Sequence, residues 1–339
     1  METGRILIIA RKEFADTLRG RRFLLVLGMF LIIAFIGALQ GIQSYHTALN
    51  SYSKMLTFGT TGVSPFWLVK PTVLDVFFRM GQTVSLLGAV LGIAVGFDLF
   101  SREKEDHSLK VLLSHPVYRD EVITGKALGG VATLALATVL AMGITLSLLL
   151  ISSHVPLPGE CGMIVIFGVA TLLYLAGCFA IALAMSVVAD RSGEALMYAF
   201  IVFFLLSLVL PAAGVAAADA VVGDGPEEPT VADDSDMEKW YAYQEEWRRQ
   251  HGMRDAVVQT VHLFSPEINY NEITRAVTQP NKYLIMHSPP DDPDYYRPDS
   301  EPDYTEVLGH LWKNIVALLL VPAIFLGYAY IRFQRLDLR

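Results

Sequence analysis

Six stretches of this chain are each apolar for about the length that crosses a bilayer, and this limits the folds open to it. A helix needs roughly 20 consecutive apolar residues to span the hydrocarbon layer. The windows 23–42, 82–100, 127–151, 163–188, 196–218 and 311–331 meet that requirement. Backbone N–H and C=O groups have no water to bond within lipid, so segments of this kind must satisfy them internally as helices. The expected fold is an all-α polytopic membrane protein with six transmembrane helices. Arg19, Arg21 and Arg22 precede the first window as they would a secretory signal. Its apolar run is longer than the 7–15 residues of a signal-peptide core, so it reads as an uncleaved signal anchor.

Charge orients the six spans. The net charge of −8 is unevenly spread: residues 219–310 carry 20 Asp/Glu against 7 Lys/Arg, which leaves the remainder of the chain at +5. Placing both termini inside puts 15 basic residues on the cytoplasmic side, among them Arg5, Arg11, Lys12, Arg102, Lys104, Lys110, Arg191 and Arg332. The short outer segments then hold only Lys54, Lys70 and Arg79. Lys and Arg in short loops remain on the cytoplasmic side, whereas long loops translocate largely regardless of charge. The reading is therefore a multi-pass protein of the cytoplasmic membrane with both termini inside and the acidic 219–310 region outside.

Between the spans the pattern is more varied. Residues 4–18 read as an amphipathic helix with Ile6, Ile9, Ala10, Phe14, Thr17 and Leu18 on one face, expected to lie in the headgroup layer. Gly88, Gly92 and Gly96 recur every four residues in span two, a small-xxx-small stripe that lets another helix approach closely. Asp75 and Arg79, four apart, are placed to pair on a helix entering that span. In the turn 189–195, Asp190, Arg191 and Glu194 are expected to satisfy helix ends, with a second, smaller contact to a cytoplasmic partner as the alternative. Pro211 should kink or end span five, leaving 212–223 as a re-entrant or fraying element. Within the acidic region, residues 237–287 hold Trp240, Tyr241, Tyr243, Trp247, Phe264 and Tyr270, enough aromatic surface for a small cap. Cys161 and Cys178 lie about 25 Å apart along one helix, too far to bridge. His251, His262 and His287 lack metal-ligand spacing.

Several chemistries leave no trace. There is no G-x-x-x-x-G-K-[ST], no H-E-x-x-H and no G-x-S-x-G. Ionisable residues are nearly missing from the six windows, whereas ion-coupled pumps usually bury such groups near the midplane. The positive signal is the inner loop 101–126, SREKEDHSLKVLLSHPVYRDEVITGK. Residues 102–113 are expected to form a helix that projects Leu109, Leu112 and Leu113 from one side and is stopped by Pro116. Such a helix fits a cleft in a soluble partner; the other reading of the same residues is an amphipathic segment lying passively on the membrane.

In Arg102, Glu103, Leu109, Leu112, Leu113, Pro116, Arg119, Gly125 and Lys126 this loop resembles the inner loop of ABC-2 type permeases, the membrane subunits of ATP-binding-cassette transporters. The six spans, the amphipathic helix before them, the large outer loop and the stretch SPEINYNEITRAV at 265–277 are similar as well. The sequence departs from the family pattern at His107-Ser108, where Gly-Thr is common. The resemblance implies an N-terminal amphipathic helix at 1–22, spans one to five over 23–218 with a cytoplasmic coupling loop at 101–126, an extracytoplasmic loop at 219–310, and span six with its tail at 311–339. It implies that the nine named loop residues couple the chain to a cytoplasmic ATPase subunit. That subunit would bind ATP and magnesium, with no cofactor and no catalytic or metal-binding residues in this chain. It also implies export, a second permease copy as a homodimer or a related chain, and no nucleic-acid partner. An extracytoplasmic protein is a candidate partner for 223–305. Family members handle drugs, lipids, polysaccharides and ions, and the residues here select none of these. Two other readings stay open: a membrane scaffold that recruits extracytoplasmic proteins, and a secondary transporter.

Overall fold

The computed structural model describes residues 3–58, 70–108, 118–223, 237–287 and 304–335. The described residues form helices joined by short turns, with no strand among them: α1 (Thr3–Arg19), α2 (Arg21–Phe58), α3 (Asp75–Gly96), α4 (Ser101–Glu105), α5 (Arg119–Ile151), α6 (Pro158–Val188), α7 (Ser192–Phe204), a π-helical turn (Leu205–Val209), α8 (Leu210–Val222), α9 (Met237–His262), α10 (Pro266–Thr278), α11 (Pro280–His287) and α12 (Tyr304–Gln334). Six stretches are long and apolar enough to cross a membrane: Arg21–Thr57, Asp75–Glu105, Arg119–Ile151, Pro158–Val188, Ser192–Val222 and Tyr304–Gln334. Each contains one of the windows read from the sequence.

The centre of the bundle is α6, whose Tyr174, Leu175, Cys178, Phe179, Ala182 and Leu183 are fully buried. Helices α3, α5, α7, α10 and α12 pack around it. The glycine stripe of span two is the seam between α3 and α6. A methyl group at Gly92 would sit 2.7 Å from the Leu175 carbonyl oxygen, and one at Gly96 would sit 2.7 Å from that of Phe179. Close backbone approach is what small residues at this spacing provide when no hydrophobic force drives helices together in lipid. Gly41 seats α2 against α3 in the same way, 2.6 Å from the Val76 carbonyl. Large apolar residues such as Leu25, Ile32, Leu86, Val139 and Ile201 remain on the outside, as a lipid-facing surface requires.

Helix α1 forms over the residues that the periodicity marked, and Ile6, Ile9, Ala10, Phe14, Thr17 and Leu18 are all partly covered. Their cover is protein. The face packs against α5, where methyl groups at Gly125 and Gly129 would strike Ile9 and the Ala10 carbonyl at 2.7 and 2.9 Å. The apolar face is thus taken up by protein, and the outward face carries Leu7, Ile8, Arg11 and Lys12.

Span five is interrupted where Pro211 removes a backbone donor. The π-helical turn Leu205–Val209 precedes it, and regular helix resumes in α8. Residues 212–222 are thus regular helix that continues the stretch Ser192–Val222 and is not frayed. Helix α9 then folds back along α8, with Val261 beside Gly214 and the Arg254 side chain donating to Asp219 at 2.7 Å.

The next helix departs from the external cap expected for this region. Helix α10 lies among α3, α6 and α12 with Asn269, Tyr270, Ile273, Ala276 and Val277 fully buried. Tyr270 stacks on Tyr174 at 4.7 Å between ring centroids, and Thr274 presses on Gly81. Gly81 and Ser85 lie about 9 and 15 Å along α3 from Asp75 at 1.5 Å rise per residue. The N-terminal end of α10 therefore reaches well down the span, and its C-terminal end rises to Asp75. There the Asp75 carboxylate accepts from Gln279 at 2.8 Å and the Thr72 backbone at 3.1 Å, with Lys282 at 3.8 Å. The expected Asp75–Arg79 pair does not form, because Asp75 is engaged by α10 and α11 while Arg79 turns to Gln82.

Candidate functional site

At the end of the bundle that carries α1, the first residues of the 101–126 loop form a short helix whose charged side chains each have a separate structural partner. Helix α4 starts on α6: the Ser186 hydroxyl accepts from the backbone N–H groups of Phe100 and Ser101 at 2.9 and 3.0 Å. Free N–H groups at a helix start need an acceptor, and here a neighbouring helix supplies it.

Lys104 reaches the C-terminus of α6, where its ammonium donates to the carbonyls of Val187 at 2.6 Å and Ala189 at 3.0 Å. Glu105 reaches the N-terminus of α7, where its carboxylate accepts from the Ser192 backbone at 3.2 Å and hydroxyl at 2.9 Å. A cation at a helix C-terminus and an anion at an N-terminus both match the helix dipole. The helix ends of the 189–195 turn are thus held from α4. This corrects the expectation of local capping, since Asp190 merely flanks Lys104 at 3.8 Å and Arg191 makes no side-chain cap.

Glu103 points the other way, to Lys126 of α5. The Lys126 ammonium donates to Glu103 at 2.9 Å, to the Leu99 carbonyl at 3.0 Å and to Glu13 of α1 at 3.3 Å. It lies 5.3 Å from the centroid of the Phe100 ring, which packs on Phe333 of α12 at 4.6 Å. Lys126 is 4% exposed, and the second Glu103 oxygen is buried without a partner among the described residues. A buried charge needs pairing and hydrogen bonds to be tolerated, and this lysine has two carboxylates and a carbonyl.

The sequence-predicted site residues are therefore distributed unevenly. Glu103 and Lys126 meet directly. Gly125 is covered by α1, so the Gly-Lys pair is an internal joint and offers no docking surface. Arg102 is exposed and pairs with Asp106 at 3.7 Å. Arg119 begins α5 and donates to the Gln334 carbonyl at the end of α12 at 3.0 Å. Leu109, Leu112, Leu113 and Pro116 lie outside the described residues. A continuous helix over 102–113 does not form: α4 ends at Glu105, and His107 takes a left-handed backbone with φ of 55°. Glycine adopts that conformation without steric cost, which gives a physical reason for glycine being common there in the family pattern. Glu13, Lys104, Glu105, Ser186 and Ser192 complete the site. Nothing local in the sequence marked them as partners, because the contacts join residues up to 113 positions apart.

The loop thus begins at a junction of α1, α5, α6, α7 and α12, a natural place to gather movement from one segment. A family model described as ABC-2 family transporter protein matches residues 7–338. The chain belongs to the ABC-2 transporter family. The probable ABC transporter permease protein NosY of Pseudomonas aeruginosa is similar to it, with 29% identity over 139 residues. That match covers 40% of this chain and 42% of the relative, so the chain spans less than half of the relative's length. Membership agrees with the six helices long and apolar enough to cross a membrane.

Proposed function

We propose that this ABC-2 family chain is an exporting permease without ATPase activity of its own, and that the segment 102–116 docks it to a cytoplasmic ATPase subunit. In this reading the α1 end faces the cytoplasm, in line with the basic residues gathered there, and the region 219–310, acidic as a whole, faces out. ATP and magnesium are bound by the partner. A second permease copy completes the transporter, and its ATPase pair closes on ATP binding. Substrate affinity then differs between the inward- and outward-facing states, as net transport demands.

The observation that carries this reading is the set of anchors on α4. A docking segment is useful only if its displacement reaches the spans. Here Lys104 and Glu105 hold the adjoining ends of α6 and α7, and Glu103 holds Lys126 of α5. Arg102 remains exposed, available to a soluble partner.

The test is a mild-detergent purification of the tagged chain from its native membranes, with mass spectrometry of what accompanies it. A soluble protein bearing G-x-x-x-x-G-K-[ST] is expected with the wild type. It should be lost from a Leu112→Asp/Leu113→Asp variant that still inserts in the membrane. Undiminished co-purification with that variant would sink the assignment of the docking segment.

A further inference from the structure

The contacts of α4 fall into two sets that lead to different parts of the bundle. Lys104 and Glu105 lead to the α6–α7 junction. Glu103 leads through Lys126 to Glu13, and so to α1 and the start of α5. Over this same stretch of α5, Gly125 and Gly129 let α1 lie almost backbone to backbone on it, so the two helices are mated. We infer that α4 is a two-armed linkage: one arm moves the α6–α7 junction, the other moves α1 together with α5, and Lys126 is the positioning residue of the second arm. The inference rests on the docking reading above, because α4 must be displaced by a partner for either arm to act.

The alternative is a static clip that merely stabilises the folded bundle. Two observations favour a moving joint. The three charged groups come from three separate elements, so a shift of any one is felt by the others. The Glu103–Lys126 pair is also largely shielded from water, and parting it would strand a buried lysine and a carboxylate. Breaking such a pair is far costlier than shifting it intact, so displacement of α4 drags α5 and does not open the joint. The Glu105–Ser192 contact is exposed and acts through a different pair of helices, so the two arms are separable.

The test uses the chain reconstituted with its ATPase subunit in lipid nanodiscs. Spin labels are placed in a Cys161→Ser background, since Cys161 is the exposed cysteine and Cys178 is buried. One label pair joins Ile8 of α1 to Val165 of α6, and the other joins Met197 of α7 to Val165, all three being exposed positions. Distances are read with and without magnesium and a non-hydrolysable ATP analogue. In the wild type both pairs should shift on nucleotide binding. Lys126→Met should lose more than half of the Ile8–Val165 shift and keep that of Met197–Val165, and Lys126→Arg should restore the first. Glu105→Ala should show the reverse pattern. A Lys126→Met variant that preserves both shifts, or reduces both equally, would overturn the two-armed linkage. Should that variant fail to assemble, Glu13→Gln/Glu103→Gln/Lys126→Met leaves no unpaired charge and is read by the same criteria. No shift at either pair in a wild-type complex that binds its ATPase refutes the linkage alone. Failure of the wild type to bind any ATPase removes the docking reading first.

Discussion

Replacing Gly92 by alanine tests whether the α3–α6 seam is set by backbone approach. The added methyl would lie 2.7 Å from the Leu175 carbonyl oxygen, 2.8 Å from the Cys178 Cβ and 3.2 Å from the Phe179 nitrogen. Two of these three atoms are backbone, so no side-chain rotation relieves them. Ordinary contact begins near 3.4 Å, so the helices must separate by about 0.7 Å along a line where both are buried. Overpacking of this kind costs about 1–3 kcal/mol. Alanine also favours the helix over glycine by about 0.8–1 kcal/mol. That second effect is shared by any exposed helical glycine, and Gly143 of α5, with nothing within 4 Å of an added methyl, supplies the control. Gly143→Ala should gain stability from helix preference alone. The preference cancels on comparison, so Gly92→Ala should fall below Gly143→Ala by about 1–3 kcal/mol. Reversible unfolding in mixed micelles with a denaturing detergent, followed by circular dichroism, measures both. Equal stabilities for the two variants would refute the close-packed seam and the placement of α3 on α6 with it.

Two further outcomes follow from the geometry. Ser192→Ala and Glu105→Gln each weaken the link between α4 and the start of α7, so amide exchange at Ser192 and its neighbours should accelerate. The double variant should add little to either single change, and fully additive effects would show that the pair is not a unit. Burial raises the Glu267 carboxyl above its ordinary range, and the Ser85 hydroxyl at 3.4 Å only partly opposes this. The folded state therefore binds this proton more readily than the unfolded chain. Its contribution to stability is present at low pH and is lost as pH rises through the folded-state value. Glu267→Gln should remove that dependence, and its stability curve should meet the wild type at acid pH; parallel curves across the range would contradict the buried placement.

Much of the architecture was legible because lipid imposes simple length and polarity rules, and the six windows fall inside the six helical stretches that answer to them. The contacts made by each face were harder to read. The periodicity of α1 picked out Ile6, Ile9, Ala10, Phe14, Thr17 and Leu18 correctly, yet a lipid headgroup layer and an α5 surface demand the same apolar stripe. The Gly125-Lys126 pair showed a related ambiguity. A glycine before a lysine in a basic loop reads as exposed, and only the three-dimensional neighbours show α1 over the glycine and two carboxylates around the lysine.

Helix α10 marks where hydropathy has no purchase. Its sequence is too polar and too short to register as a span, so charge and composition assigned it to the exterior along with the acidic residues around it. Its helical pattern was nonetheless visible: Asn269, Tyr270, Ile273, Ala276 and Val277 fall at the spacing of one buried face. Ser265 followed by Pro266 forms a strong start, and the Ser265 hydroxyl does accept from the Ile268 backbone at 3.3 Å. What the pattern cannot give is depth. A polar residue low in the bundle is tolerated when protein answers every group, and Asn269 meets the Leu263 and Ser265 carbonyls at 2.8 and 2.7 Å and receives Asn314 at 3.0 Å. The helix thereby brings Glu267 alongside α3 at Ser85, inside a bundle whose six windows hold almost no ionisable residue. The scarcity of charge that argued against an ion-coupled carrier was a count over the spans alone. With α10 in place, a half-buried carboxylate enters the bundle from a connecting segment, and the pH series on Glu267→Gln measures how much that group contributes.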